Sequence, residues 1–219
     1  EACGDGLDND CDGARDLADA DSCGPVVLSS RIDAPDDDAE EAIELGSVSL
    51  KSSDLELTRD RERLQLVGLR FRAVDVPRGA TILGARLQFS ADQTTDEATS
   101  LLIDAEASDD AAAFSKTHRD LSSRPRTSHP VPWAPAPWTR SDTGPDQRTP
   151  ELTTLVQEIV DRPAWSAGNA MAFLVSGTGL RTAVAYDGAP QRGATLQLEY
   201  RERCSADADG DGSPDRKST

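Results

Sequence analysis

Most of the chain, from Val26 to Tyr200, divides into short segments in which apolar and polar residues alternate, and glycine or proline separates many of these segments. Alternation with a period of two is typical of strands that bury one face, and turn residues at regular spacing separate such strands. The predicted strands are Glu44–Lys51, Asp54–Leu57, Leu64–Arg72, Ile82–Ser90, Leu101–Ala107, Ala170–Ser176, Thr182–Tyr186 and Thr195–Tyr200. The pattern predicts a mostly β fold, an antiparallel β-sandwich of the jelly-roll kind.

Two of these strands indicate which side chains face the core. In the segment Leu64–Arg72, a bulge at Gly68 is expected, and it would bring four apolar residues to one face: Leu64, Leu66, Leu69 and Phe71. In the segment Ile82–Ser90, strict alternation predicts an inward set of Leu83, Ala85, Leu87 and Phe89.

One amphipathic helix interrupts the strands. Thr149 is a predicted N-cap, Pro150 suits the first turn, and Pro163 ends the segment. The apolar stripe of this helix comprises Leu152, Leu155, Val156 and Ile159. We expect the helix to cover one open end or edge of the sandwich, and we expect residues 117–148, which are rich in proline, serine, threonine and arginine, to form an extended loop.

The chain is strongly acidic, with 40 Asp and Glu against 23 Lys and Arg and a formal charge of −17. Nucleic-acid binding is excluded because it requires a surplus of basic residues, and the same argument excludes attraction to an anionic membrane surface. No apolar run is long enough to span a bilayer, so membrane insertion is excluded. We expect that any secretion signal has been removed, since no charged and then apolar segment opens the chain.

The acidic residues concentrate in three short tracts. Residues 1–23 hold eight of them, residues 33–41 hold six and residues 204–219 hold four. The first tract has the ligand spacing of an EF-hand-type calcium loop, with Gly13 at the sharp turn. Its predicted ligands are Asp8, Asp10, Asp12, the carbonyl of Ala14, Asp16 and Asp19.

The last tract repeats this spacing, with Gly212 at the turn, although its twelfth position is Ser218, a weak ligand. Its predicted ligands are Asp207, Asp209, Asp211, Ser213 and Asp215. Ligand sets made only of oxygen favour calcium over zinc, and their many carboxylates favour calcium over magnesium. The middle tract, Asp33–Glu41, lacks the spacing. It is interpreted either as a third site completed by Asp92, Asp96 or Asp187, or as an exposed acidic loop.

The four cysteines, at positions 3, 11, 23 and 204, lie in or beside the acidic ends, and none lies in the apolar middle. An even number of cysteines beside calcium loops indicates disulfides and an extracellular setting. Four cysteines allow three pairings, of which we favour Cys3–Cys11 with Cys23–Cys204. The second bridge would close a loop of about 180 residues, worth on the order of 5 kcal/mol in the chain-entropy model, and it requires the first and last strands to be neighbours.

The central region resembles a known family. The stretches that carry the resemblance are Pro77–Phe89, Val131–Trp133 ahead of the helix, Asn169–Val175 and Ala194–Tyr200. In this order they resemble the DNRLRE-type domain, a jelly roll similar to the carbohydrate-binding modules of secreted bacterial proteins. The resemblance covers roughly residues 26–200. It implies a module that binds carbohydrate.

The two ends resemble other units. The segment Cys3–Gly13 resembles the metal-binding repeats of bacterial surface proteins, and the C-terminal tract resembles a thrombospondin type 3 calcium repeat. Such repeats occur in long modular chains. The predicted organisation is therefore a calcium-binding segment at 1–24, a sandwich domain at 25–203 and a calcium-binding segment at 204–219.

Catalysis has little support, because only His118 and His129 are available and no nucleophile elbow, metalloprotease helix or phosphate loop occurs. A sugar site would need exposed aromatic rings, and Trp138 and Tyr186 are the candidates, whereas Trp133 and Trp165 suit the core. We therefore expect a non-enzymatic, calcium-stabilised extracellular binding or adhesion module. The alternative is a protomer of a calcium-dependent filament, stalk or surface layer whose partners are copies of itself or adjacent modules.

Overall fold

A computed structural model describes residues 24–201 and shows the expected mostly β fold. The strands are β1 (Val26–Arg31), β2 (Asp38–Ala42), β3 (Ser47–Ser49), β4 (Asp54–Leu57), β5 (Arg59–Asp60), β6 (Arg63–Phe71), β7 (Thr81–Gln88), β8 (Ser100–Ala105), β9 (Val131–Trp133), β10 (Met171–Thr178), β11 (Arg181–Val184) and β12 (Thr195–Arg201). The α-helix of this range is α1 (Thr153–Val160), and short 3₁₀ turns lie at Pro145–Gln147 and Pro190–Arg192.

The strands form an antiparallel β-sandwich. The larger sheet has the order β3-β2-β6-β10-β8-β9, with β5 paired to β6. The opposite layer consists of a three-stranded sheet, β1-β12-β7, and a small sheet in which β11 pairs with β4. The main core lies between these layers and includes apolar residues of α1.

The larger sheet is covered on both faces. On one face Val67 and Leu69 contribute to the main core, and on the other Leu66 belongs to a second cluster with Phe114 and Leu121 from the loop that follows β8. Burial on both faces explains why β6 and β10 contain continuous apolar runs.

The predicted bulge at Gly68 is wrong, because β6 and β10 pair without a register shift, with Gly68 opposite Leu174. Uninterrupted alternation places Leu66 and Leu69 on opposite faces, and Leu64 is exposed. Gly68 instead makes room for a covering side chain, since a Cβ there would lie 2.6 Å from Cζ of Phe114.

The bulge lies in the other sheet. The β7–β12 register shifts so that Glu199 pairs with Gly84 and Tyr200 with Ile82, which leaves Leu83 without an opposite residue. Leu83 is therefore exposed, and the prediction that it faces the core is wrong. The rest of the predicted inward set, namely Ala85, Leu87 and Phe89, is buried.

The helix begins at Thr153, three residues later than predicted, because Thr149 and Glu151 bond to the edge of β7 instead of capping the helix. Thr149 Oγ1 accepts a hydrogen bond from Leu87 N–H at 3.0 Å, and Glu151 Oε2 accepts one from Ala85 N–H at 3.0 Å. The predicted apolar stripe is buried. Together with the segment before it, α1 covers one edge of the sandwich, as expected.

The first and last strands of the described range are neighbours, with Val26 opposite Tyr200. The condition for the predicted Cys23–Cys204 bridge is therefore met, although both cysteines lie outside residues 24–201.

Two strands differ from the prediction. The strand expected at Glu44–Lys51 is confined to Ser47–Ser49, and β2 was not predicted.

Candidate functional site

The predicted calcium ligands and all four cysteines lie outside the described residues. They are Asp8, Asp10, Asp12, Ala14, Asp16, Asp19, Asp207, Asp209, Asp211, Ser213 and Asp215, together with Cys3, Cys11, Cys23 and Cys204. Both calcium loops and both disulfides stay predictions.

Trp138, which was expected to be an exposed ring, is buried with 1% of its surface accessible, so that prediction is wrong. Its ring lies beside Phe89 and Trp133 in the main core, and its Nε1 donates a hydrogen bond to the Asp146 carbonyl at 2.9 Å. The backbone of Trp138 also exchanges two hydrogen bonds with Thr95, each 2.9 Å long. The prolines on either side of Trp138 suggested that it is exposed. Instead, the segment packs against the sandwich, where Trp138 forms an isolated antiparallel β-bridge with Thr95.

Arg181 of β11 fixes the proline-rich segment. Its guanidinium is buried and donates hydrogen bonds to the carbonyls of Ala136 at 2.8 Å and Pro135 at 3.0 Å. Further bonds reach the Glu97 carbonyl and Thr99 Oγ1. A buried arginine surrounded by carbonyl oxygens needs no carboxylate partner to satisfy its donors, and here it joins two loops to β11.

Tyr186 is half-buried, and its ring packs against the edge of the main core. Its backbone N–H donates a hydrogen bond to Asp38 Oδ2 at 2.7 Å, which fixes the turn that carries Asp187 and Gly188. This turn is closely packed, because a Cβ on Gly188 would lie 1.9 Å from the Ser53 carbonyl oxygen. Of the two predicted ring contacts for a ligand, Tyr186 is thus the one with exposed surface.

The acidic tract Asp33–Glu41 divides into two parts. Residues 33–36 form a loop in which Asp33 is exposed, so the interpretation as an exposed loop holds for this part alone. The second half of the tract forms β2, whose five residues are all buried between β3 and β6. Within residues 24–201 there is no group of three or more acidic, histidine or cysteine side chains that could hold a metal ion.

Asp38 and Glu40 point toward the small sheet. Glu40 Oε1 accepts a hydrogen bond from Glu56 N–H of β4 at 2.7 Å, and the two carboxyl groups also hydrogen-bond each other. Burial, with the Glu56 carboxylate beside it, raises the pKa of Glu40 to about 9, and burial raises the pKa of Glu56 as well, so the pair shares a proton in the fold. Burial, reinforced by the negative charges of Asp187 and Asp37, raises the pKa of Asp38 to about 7.

Glu41 and Asp37 bind other parts of the structure. Glu41 Oε2 accepts hydrogen bonds from the backbone N–H groups of Leu121 and Ser122, both at 2.9 Å. Asp37 pairs with Arg70 and Arg72; burial raises the pKa of Asp37, and the two arginines oppose the rise.

Strand β2 therefore connects three layers. Glu41 attaches the outer loop to the larger sheet, and Asp38 and Glu40 attach the small sheet and the Tyr186 turn. Each of these carboxyl groups has a backbone N–H as a partner, which compensates for burying it. Sequence reasoning missed this role because the segment Asp-Ala-Glu-Glu-Ala has no β-branched or aromatic residue.

The outer face of the three-stranded sheet forms a concave surface. Gly84, which has no side chain, lies in this surface, and the residues around it include Val27, Arg86, Gln197 and Glu199. Arg86 and Glu151 form an ion pair at its border. Its lining combines apolar and charged side chains and contains no aromatic ring.

No family model matches the chain, and a comparison with curated proteins finds no match. Residues 24–201 contain no helix with the length and apolar character needed to cross a membrane.

Proposed function

We propose that this chain is a non-enzymatic structural and adhesive module of an extracellular protein, stabilised by calcium at both ends. The observation that carries the proposal is the geometry of the two ends: β1 and β12 pair side by side, so both acidic terminal tracts leave the sandwich at the same place. Calcium loops there would set the angle between this domain and whatever precedes and follows it.

Calcium has a second role in this proposal. Copies of a chain with a formal charge of −17 repel one another, and ions bound in the terminal tracts would lower that charge. Calcium would then both order the ends and allow acidic modules to approach. The spacing of the two aspartate loops supports calcium as the ion, and the cysteine positions support an oxidising compartment outside the cell.

Calorimetric titration of the full chain with calcium tests the proposal. We expect the double substitution Asp10→Asn with Asp12→Asn to abolish calcium uptake at the first loop, while the sandwich stays folded. A matched control, Glu44→Gln with Asp75→Asn, removes two exposed charges outside the tracts and should leave the titration unchanged. Equal uptake by the loop variant and the parent chain would overturn the proposal.

Carbohydrate binding is the second candidate, and the partial exposure of Tyr186 favours it. A ring at a fixed turn next to Asp187 offers an apolar face and a polar neighbour, the pair of features that sugars contact. The test is a glycan array probed with the parent chain and with Tyr186→Ala. Binding by the parent chain that disappears in the variant supports carbohydrate recognition. If the parent chain binds no glycan on the array, carbohydrate recognition is rejected and the structural role is retained.

A further inference from the structure

Strand β1 presents an open backbone edge. The Ile32 N–H donates to the Ala194 carbonyl at 3.1 Å, just beyond the end of β1, so even-numbered residues of this strand bond to β12. In an antiparallel ladder the intervening residues direct their N–H and C=O groups away from the partner. The backbone groups of Val27, Ser29 and Arg31 therefore point outward, and no described residue forms a backbone hydrogen bond with them.

The other sheet edges in residues 24–201 are protected or short. The free edge of β7 is covered, because Phe89 N–H bonds to the Gln147 carbonyl and the Leu87 carbonyl accepts from Thr149 N–H. The terminal strands of the larger sheet, β3 and β9, have three residues each, and β9 contains Pro132. The small sheet has strands of four residues.

By contrast, β1 has six residues, no proline and no charge before Arg31. Val27 is 78% exposed and Val26 is 40% exposed. Natural proteins usually protect such an edge with charge, proline or a covering segment, and an unprotected apolar edge is a template for pairing with another strand.

We propose that β1 pairs antiparallel with β1 of a second copy of this chain, which joins the two three-stranded sheets into one. The outward backbone groups fix the register around a two-fold axis at Ser29, with Val27 opposite Arg31 of the other copy. Val27, Ser29 and Arg31 of the two copies would form about six backbone hydrogen bonds with one another. A contact of this kind is self-complementary and closes as a dimer.

Charge complementarity favours a second copy as the occupant. On the outer face Glu199 of β12 is opposite Val27, so Arg31 of the other copy would lie two strands from Glu199. Two strands span about 10 Å, a distance that two long side chains can bridge across Val27. Each copy supplies both partners, so the arrangement forms two arginine–glutamate pairs and places no like charges opposite each other.

The inference rests on the proposed assembly role, but it does not require calcium binding. Sedimentation equilibrium of the full chain, at millimolar calcium and moderate ionic strength, should show a monomer–dimer equilibrium. The substitution Ser29→Pro removes the N–H at the axis from each copy. We expect it to raise the dissociation constant by about thirtyfold, the equivalent of two lost hydrogen bonds.

Further variants distinguish pairing at this edge from non-specific association. Val27→Lys should weaken the dimer, whereas Leu102→Lys, at an exposed leucine of β8, should not. Arg31→Glu should weaken it by about tenfold, and adding Glu199→Arg should restore it. Circular dichroism and thermal unfolding of each variant establish that the domain is folded.

Hydrogen exchange identifies the occupant of the edge. We expect protection of the Val27 and Ser29 amides that grows with protein concentration. Concentration-independent protection in a monomer would mean that residues outside 24–201 of the same chain cover the edge, and it would overturn the proposal. A monomer with unprotected amides, or a dimer that is insensitive to every β1 variant, would also overturn it. Normal calcium uptake by such a monomer would leave the proposed function standing.

Discussion

Replacing the buried Glu40 by glutamine should stabilise the domain above neutral pH. The folded chain holds the Glu40 proton up to a pH of about 9, whereas the unfolded chain releases it near the ordinary value of 4.5. Between these values the folded state binds one more proton than the unfolded state. The free energy of unfolding therefore falls as the pH rises through this window, and it is largest at the acidic end.

The size of the effect follows from proton linkage. One extra proton corresponds to about 1.4 kcal/mol per pH unit. Asp38, with a pKa of about 7, contributes a similar slope only below neutrality, so the interval from pH 7 to pH 9 reports the coupled pair of Glu40 and Glu56. Over that interval the free energy of unfolding of the parent chain should fall by at most about 2–3 kcal/mol. The Glu40→Gln variant should not show this fall.

Urea unfolding at several pH values measures this difference. The three tryptophans are buried, so their fluorescence reports unfolding of the sandwich. The calcium concentration is held constant, and Glu44→Gln, at an exposed position, is the matched control. Parallel stability curves for Glu40→Gln and the parent chain from pH 7 to pH 9 would refute the argument that Glu40 is protonated in the fold.

Two core substitutions test the packing. Trp138→Ala should destabilise the domain by about 3–5 kcal/mol, measured by urea unfolding, because the ring is enclosed by Phe89 and Trp133; a loss below about 1 kcal/mol would contradict its burial. Gly68→Ala should cost about 1–3 kcal/mol, since the new methyl group would displace Phe114 from the larger sheet. A neutral or stabilising result in thermal unfolding would show that the outer loop adapts freely.

The spacing of apolar residues along the chain was enough to predict several elements. Strand β4 has the predicted bounds, Asp54–Leu57, and the apolar stripe of α1 is buried as expected. In β7, alternation predicts the burial of Ala85 and Leu87 correctly. These features depend on residues that are close in sequence, and a period of two or of 3.6 encodes them directly.

The remaining features depend on contacts that are distant in sequence. The carboxyl groups buried in β2 bond to the backbone N–H groups of Glu56, Leu121 and Tyr186, none of which is near β2 in the chain. Trp138 is buried because Arg181 binds the carbonyls of the preceding residues. Hydropathy cannot anticipate a polar strand whose partners come from three other segments.

Native mass spectrometry of the full chain at millimolar calcium tests the central claim most directly, because one spectrum reports both the bound metal and the number of copies. Two calcium ions per chain, with a dimer that increases with protein concentration, are the predicted result. A metal-free chain at every calcium concentration would contradict the account.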